Sequence, residues 1–404
     1  MYLERLELDQ FRSYEHLSLD IPAGGLRIHG RNASGKSSVL EALVMLSTTR
    51  SPRAQADRDV VRWESGKDFG VPAYARAEAV VVTRRGPIRV NIGIELDEFR
   101  SVVARKGYRL NGETVRAHDL IGVVKCVLFS PEDVVLVTGP PSERRRQVDI
   151  LLSLTDRSYL HALAQYGRVL TQRNQLLRQF ARDRRSVRDT GAVNEMSFWD
   201  EQLVAAGSVV MAFRHHAAER ISALVHSRST TLVDGANVGF AYVPRLEMND
   251  VTLEGQPERD RAVVADRFEH RLREVRVDEF RRGMSLVGPH RDDFRFMIEG
   301  RDLAMYGSRG QQRLGVVAYK LAEIDVIDER SGERPVLLLD DVLSELDEVH
   351  RELLVTEIAA CRCQVLVTST DASHLEHPSL AHLPLIEIAN GSAEIPSGEV
   401  NEDD

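Results

Sequence analysis

Lysine is nearly absent from this 404-residue chain. Lys36, Lys67, Lys106, Lys125 and Lys320 are the only lysines among 53 basic residues, so the positive charge is almost all arginine. Codon bias produces that as readily as function does. Cysteine is also scarce: Cys126, Cys361 and Cys363. An odd, small number in a long chain argues against a disulfide framework and for a reducing cytoplasm. Cys361-x-Cys363 has no second pair or histidine at zinc spacing and reads as core or incidental. No apolar run approaches the roughly 18 residues of a membrane span, and Met1-Tyr2-Leu3-Glu4-Arg5 is not the start of a signal peptide. Positive charge is not in excess either. The formal net charge is −9, which excludes a polybasic nucleic-acid binder as a whole but not a local basic patch. The 43% hydrophobic and 28% charged content is that of a globular protein long enough for two or three domains.

One stretch stands out. Residues 30–37 read Gly30-Arg31-Asn32-Ala33-Ser34-Gly35-Lys36-Ser37, followed by Ser38, and match the phosphate-binding pattern G-x-x-x-x-G-K-S. The glycines let the backbone approach a ligand closely. Successive N–H groups then cradle phosphate oxygens. Lys36 carries charge to the β- and γ-phosphates, and Ser37 offers a hydroxyl to Mg²⁺. Leu26 and Ile28 alternate as a strand before the loop, and 39–43 run on as a helix, the order that makes an anion site.

Around this loop the pattern is β-rich. Leu6 and Leu8 alternate, as do Leu17, Leu19 and Ile21. Further strands are expected at 74–82, 88–96 and 101–110, with turn chemistry at Arg84-Arg85-Gly86-Pro87 and Asn111-Gly112. The result should be a mostly antiparallel sheet beside the loop. Arg12, between the first two strands, either reaches nucleotide or is a solvated loop arginine; the sequence favours neither.

The composition then shifts. Gly139-Pro140-Pro141-Ser142 stops one element, with Ser142 as N-cap of the next. Tyr159, Leu163, Tyr166, Leu170, Leu177 and Phe180 form one apolar stripe, with Arg173 in the seam. Trp199, Leu203, Ala206, Val210, Phe213, Ala217 and Leu224 form another, and a polar segment at 181–196 joins them. Two antiparallel helices making a short arm are expected, the first stripe covering about 33 Å. Arg157, Arg168, Arg173, Arg178, Arg182, Arg184, Arg185 and Arg188 lie along the first helix and its tip. They read equally as a solvated face and as a track for nucleic-acid phosphates. Residues 229–265 read as polar and turn-rich, and a helix at 266–282 leads to Gly288-Pro289-His290-Arg291-Asp292-Asp293. Phe294, Phe296 and Ile298 then alternate into a hairpin at Glu299-Gly300.

Val336-Leu337-Leu338-Leu339-Asp340-Asp341 is an apolar strand ending in two carboxylates, as suits a parallel strand buried on both faces. Paired with the phosphate loop it reads as a Walker-B element. Asp340 is expected on the metal side with Ser37, and Asp341 to position the attacking water. Upstream, Ser308-Arg309-Gly310-Gln311-Gln312 opens a helix, either an ordinary capped start or a second anion site. Residues 364–367 form another strand running into Thr368-Ser369-Thr370-Asp371, where Thr370 or Ser369 could sense the γ-phosphate. The tail, 392–404, is acidic and reads as disordered.

Taken in order, several stretches resemble the ABC-type ATPase heads of the SMC group, and within it the RecF family. They are Phe11-Arg12-Ser13-Tyr14, the phosphate loop, Phe129-Ser130-Pro131-Glu132-Asp133, Pro141-x-x-Arg144-Arg145, Gln172-Arg173-Asn174, Gly288 to Asp293, Ser308 to Gln312, and Asp340-Asp341-Val342-x-Ser344-Glu345-Leu346-Asp347. In that family Ser308-x-Gly310-Gln311 matches the ABC signature, and the Asp pair matches Walker B. Three positions depart. Ala33 stands where glycine is common. Asp341 stands where transporter-type ATPases have Glu. Thr370 or Ser369 stands where many ABC proteins have His.

The resemblance implies an α/β ABC-type head at 1–120 and 283–391, an inserted helical lid or arm at 121–282, and a flexible tail. It implies a weak ATPase that binds ATP and Mg²⁺ and dimerises on ATP. It implies binding of single- and double-stranded DNA, with gap junctions among the targets, and loading of RecA with RecO and RecR in the DNA damage response, in the cytoplasm. Arg12, Gly30 to Ser38, Ser308, Gly310 and Gln311 would hold nucleotide, Ser37 and Asp340 the metal, and Asp341 with Thr370 would serve hydrolysis. The alternative is the ATPase subunit of an ABC transporter, which would need a membrane partner and lack the arginine-bearing arm.

Overall fold

The computed structural model describes residues 1–67, 72–97, 103–233, 235–247, 255–389 and 391–394. The chain divides into two compact units, Met1–Asp133 with Lys320–Asp404, and Val134–Tyr319. The sequence pattern places the boundaries at 120 and 283 instead. The difference comes from two strands. Cys126–Phe129 pairs with Val336–Asp340 in the first unit, and Asp293–Ile298 pairs with Val238–Val243 in the second.

The first unit is α/β and holds two sheets. One is antiparallel, in the order Tyr14–Asp20, Tyr2–Phe11, Tyr74–Thr83, Gly86–Leu96, Val103–Leu110, Glu113–Val115. Its strands alternate because one face is buried: Leu6, Leu8, Ala77, Ala79, Val90 and Ile92 point into the core. Positions 101–102 of the third expected strand lie outside the described residues. The other sheet runs in the order Ser392–Glu394, Leu385–Ala389, Gly25–His29, Val365–Ser369, Val336–Asp340, Cys126–Phe129. It is parallel except at the Ser392–Glu394 edge. Every residue of Val336–Asp340 and Val365–Ser369 is buried, which explains their unbroken apolar runs. The helix Lys36–Thr48 packs Val39, Leu40, Leu43 and Leu46 into the same core. Gln364 joins the two sheets: its side chain accepts from the Leu3 N–H at 2.7 Å and donates to the carbonyls of Leu3 and Pro22, each at 2.8 Å. Ser392–Glu394 is ordered strand, where the sequence pattern has the tail loosening from 392; residues 395–404 lie outside the described set.

The second unit is mainly helical. Arg157–Arg182 and Thr190–Leu232 run 26 and 43 residues, about 39 and 65 Å at 1.5 Å per residue. Asp156 and Asp189 cap them, accepting from the N–H groups of Tyr159 and Ala192. The joining segment is thus shorter than the expected 181–196. Ser142 is not an N-cap as expected: the helix starts at Pro141, whose missing N–H costs nothing at a first position. The 266–282 helix is longer than expected, Pro257–Arg282, and packs against both arm helices. The arm is therefore a three-helix bundle. Phe280 stacks on Phe180 at 5.4 Å.

Several runs that carried the resemblance lock one another inside this unit. Arg173 is fully buried and donates to Asp200 at 2.8 Å, Ser285 at 2.7 Å and Glu279 at 2.6 Å. The Asn174 side chain accepts from the Ser285 N–H at 2.7 Å. Arg144 grips Asp293 with two bonds of 2.9 and 3.1 Å, and Tyr166 meets His290 at 2.6 Å. Burial pushes the His290 imidazole down to about 4. Arg173 consequently belongs to a buried ion-pair cluster and is not part of an exposed phosphate track.

Candidate nucleotide site

Three parallel strands of the first unit end along one sheet edge. His29 lies opposite Ser369, and Thr368 opposite Asp340. The loops that follow therefore emerge side by side, at the edge where parallel sheets bind ligands. A cavity of about 600 Å³ opens there. Its walls are Asn32 to Ser38 of the phosphate loop, Arg12 and Ser13, the carboxylates Asp340 and Asp341, Thr370, and a strap contributing Arg53, Asp59, Val61 and Trp63.

The loop conformation follows from its residues. Gly35 has φ 114°, and a Cβ there would lie 2.6 Å from the Tyr14 hydroxyl, so only glycine fits. Ala33 also sits in the left-handed region, at φ 62°, where its Cβ is strained. Lys36 folds back to donate to the carbonyls of Gly30 at 2.7 Å and Arg31 at 2.9 Å. Its burial lowers the ammonium pKa, and the charges of Asp341 and Asp340 oppose that shift. Among the described residues, Ser34 Oγ and the Tyr14 hydroxyl are buried at this loop without a hydrogen-bond partner. Burial pushes the Tyr14 phenol upward.

Asp340 is 3% exposed and surrounded by donors. Its Oδ1 accepts from Ser37 at 2.8 Å and from Thr368 at 2.9 Å, while Arg53 pairs with Oδ2. Asp341 turns out of the strand at φ 52°. Its N–H donates to the Thr368 carbonyl at 3.2 Å and hydroxyl at 3.1 Å. That turn delivers its carboxylate to the cavity wall. Ser369 is fully buried, with its hydroxyl toward Asp341 at 3.5 Å. Of the two candidates for γ-phosphate sensing, it is Thr370 that lines the cavity.

Arg12 lines the cavity too, but its guanidinium is clamped. Two bonds of 2.9 and 2.6 Å run to Glu41 on the loop helix, and a third of 2.5 Å to the Asp59 carbonyl. Sequence reasoning missed Glu41, Arg53 and Trp63. Arg53 had one local signal: Ser51 Oγ accepts from the N–H groups of Arg53 and Ala54 at 3.0 and 2.8 Å, a serine-initiated turn.

Ser308, Gly310 and Gln311 belong to the second unit. Ser308 Oγ accepts from the Gln311 N–H at 3.2 Å, and Gln311 Oε1 accepts from the Ser308 N–H at 2.9 Å. This reciprocal capping box starts the helix Arg309–Ser331. Ser308 is exposed beside Met305 and Tyr306, which are 79% and 67% exposed.

The phosphate loop, the buried strand ending in two carboxylates and the helical insertion define an ABC-type ATPase head with an arm. The family model of the RecF/RecN/SMC N-terminal domain matches residues 2–383. The DNA replication and repair protein RecF of Thermomicrobium roseum is 42% identical over 98% of this chain and 100% of that protein. The same-named protein of Bacillus subtilis is 33% identical, covering 97% and 99%. The chain belongs to the RecF family. The solved structure of the recombination mediator protein RecF with ATP, in the RecFOR pathway, superposes with a TM-score of 0.82 at 27% identity over 97% of both chains. An SMC head bound to the C-terminal winged-helix domain of ScpA shares the fold, with a TM-score of 0.54 at 15% identity over 98% of this chain and 97% of that one. Among the described residues, no helix is long and apolar enough to cross a membrane.

Proposed function

We propose that this chain is an ATP-dependent DNA-binding protein of recombinational gap repair, using slow ATP hydrolysis as a switch. The observation that carries the reading is the meeting of Ser37, Lys36 and Asp340 at one cavity. Lys36, Asn32 to Ser38 and the loop N–H groups bind the phosphates. The unpartnered Ser34 and Tyr14 hydroxyls fit an oxygen-rich ligand at this loop. Ser37 and Asp340 are the pair suited to hold Mg²⁺, which usually takes one or two protein ligands and completes its shell with phosphate and water. When bound, that ion would neutralise phosphate charge. Asp341 orients the attacking water and Thr370 faces the γ-phosphate.

Ser308, Gly310 and Gln311 act in trans. The signature helix start of one copy caps the γ-phosphate held by the phosphate loop of another, so ATP joins two chains. The exposed Met305 and Tyr306 beside Ser308 support a surface made to be covered. The exposed arm arginines contact DNA phosphates, on single- and double-stranded DNA and at gap junctions. RecO and RecR are the proposed partners, and loading of RecA the outcome, in keeping with the RecFOR pathway to which the ATP-bound structural relative is assigned. Titration of labelled gapped DNA tests the reading. Binding should tighten with ATP and Mg²⁺ and not with ADP; equal affinity under both conditions would contradict it.

A further inference from the structure

Thr368 is the first polar residue of the strand Val365–Ser369, after Val365, Leu366 and Val367, and it is fully buried. A buried hydroxyl costs stability unless it is hydrogen-bonded. Valine would suit the same strand without that cost. The hydroxyl has one hydrogen to give. Asp340 Oδ1 lies at 2.9 Å and the Leu339 carbonyl at 3.4 Å, so the hydrogen goes to the carboxylate, the shorter and charge-assisted bond. That leaves a lone pair for the Asp341 N–H, which approaches at 3.1 Å. One oxygen atom thus links the Asp340 side chain to the Asp341 backbone.

The link falls where the chain is strained. Asp341 has φ 52°, a left-handed angle unfavourable to a residue with a Cβ, and such a conformation persists where its neighbours hold it. Asp341 is held on both sides. Its N–H donates to the hydroxyl and the carbonyl of Thr368, and its carbonyl accepts from the Ser344 hydroxyl at 2.7 Å. Any residue at position 368 would supply the carbonyl; the hydroxyl is what threonine adds.

We infer that Thr368 is a positioning residue for hydrolysis: its hydroxyl, oriented by Asp340, holds the turn that presents Asp341 to the attacking water. The inference rests on the role proposed above for Asp341 and adds the group through which that carboxylate is aimed. Ser37, Asp340 and Asp341 line the cavity, and Thr368 lies buried behind them. Ser37 and Arg53 hold Asp340 independently of it. Its loss should therefore change turnover and not nucleotide binding.

Single-turnover hydrolysis of ATP with Mg²⁺ by the full chain, set beside ATP affinity and the thermal midpoint, is the test. Thr368→Val keeps the shape and removes the hydroxyl. It should slow hydrolysis roughly 5- to 50-fold, the scale of one hydrogen bond lost beside a charged group, and leave ATP affinity unchanged. Thr368→Ser should restore most of the rate although it gives up a buried methyl and melts lower. If Thr368→Val does not fold, Thr368→Ala against Thr368→Ser makes the same comparison. In an Asp341→Asn background, Thr368→Val should slow hydrolysis little further, because the two residues act as one unit. A wild-type rate in folded Thr368→Val overturns the inference alone. So do ATP affinity falling in step with the rate, Thr368→Ser as slow as the variants without a hydroxyl, and a full-size further loss in Asp341→Asn. A wild-type rate in Asp341→Asn itself overturns the reading on which the inference rests.

Discussion

The Ser37 hydroxyl donates a 2.8 Å hydrogen bond to the Asp340 carboxylate, joining residues 303 positions apart. The phosphate loop and the carboxylate strand are therefore already in register, because the parallel pairing of Gly25–His29, Val365–Ser369 and Val336–Asp340 brings their ends to one edge. The half of the proposed site that one chain supplies is thus already held together.

Lys36→Ala removes two charge-assisted hydrogen bonds to the loop and the cation proposed to meet phosphate. Each such interaction is worth about 1.5–3 kcal/mol, so ATP affinity should fall by about 100-fold or more with the circular dichroism spectrum retained. Wild-type affinity in a folded variant would remove Lys36 from the site.

Asp341→Asn keeps the size of the side chain and loses the charge proposed to orient water. ATP binding should persist while single-turnover hydrolysis slows by about 100-fold or more, the usual scale for a positioned acid–base group. An unchanged rate would assign that role elsewhere.

Ala33 at φ 62° carries left-handed strain of about 1–2 kcal/mol, against about 0.5–1 kcal/mol of extra chain entropy for glycine. The strain is the larger effect. Ala33→Gly should raise the thermal midpoint slightly, and Ala33→Val should lower it clearly. A lower midpoint for Ala33→Gly would mean that the methyl contributes packing.

On the arm, Arg182, Arg184 and Arg188 are exposed. Arg185 is engaged with Asp189 at 2.6 Å and lies 4.6 Å from the Phe180 ring centre. Arg185 and the capped backbone hold the Asp189 carboxyl down at about 2. Reversing Arg182, Arg184 and Arg188 to Glu should weaken DNA binding for all sequences alike. The salt slope should fall by about one unit for every DNA phosphate that the variant no longer neutralises. A wild-type slope would make the stripe plain solvated surface.

The phosphate loop and the Asp340 strand were legible because their chemistry is local: fixed spacing in one, an unbroken apolar run in the other. The antiparallel sheet was legible through period-two alternation. What stayed hidden depends on partners far along the chain. Arg173 looks like any helix arginine until Asp200 and Glu279 close around it. Val238–Val243 is a short strand inside a polar stretch, and only its pairing with Asp293–Ile298 reveals it. Arg53 and Trp63 lie on a strap without periodicity, so nothing in their spacing points at Asp340 or the cavity.

In the proposed dimer two chains share each ATP, Lys36 from one and Ser308 from the other. Sedimentation of Ser308→Arg alone, Lys36→Ala alone and an equal mixture tests it directly. A pair made from the two variants carries one site with both lesions and one intact site. With ATP and Mg²⁺, neither variant should dimerise alone, and the mixture should recover part of the wild-type association; ADP should leave all samples monomeric. Dimers of Ser308→Arg alone at wild-type affinity, or a mixture no better than its components, would rule out the shared site.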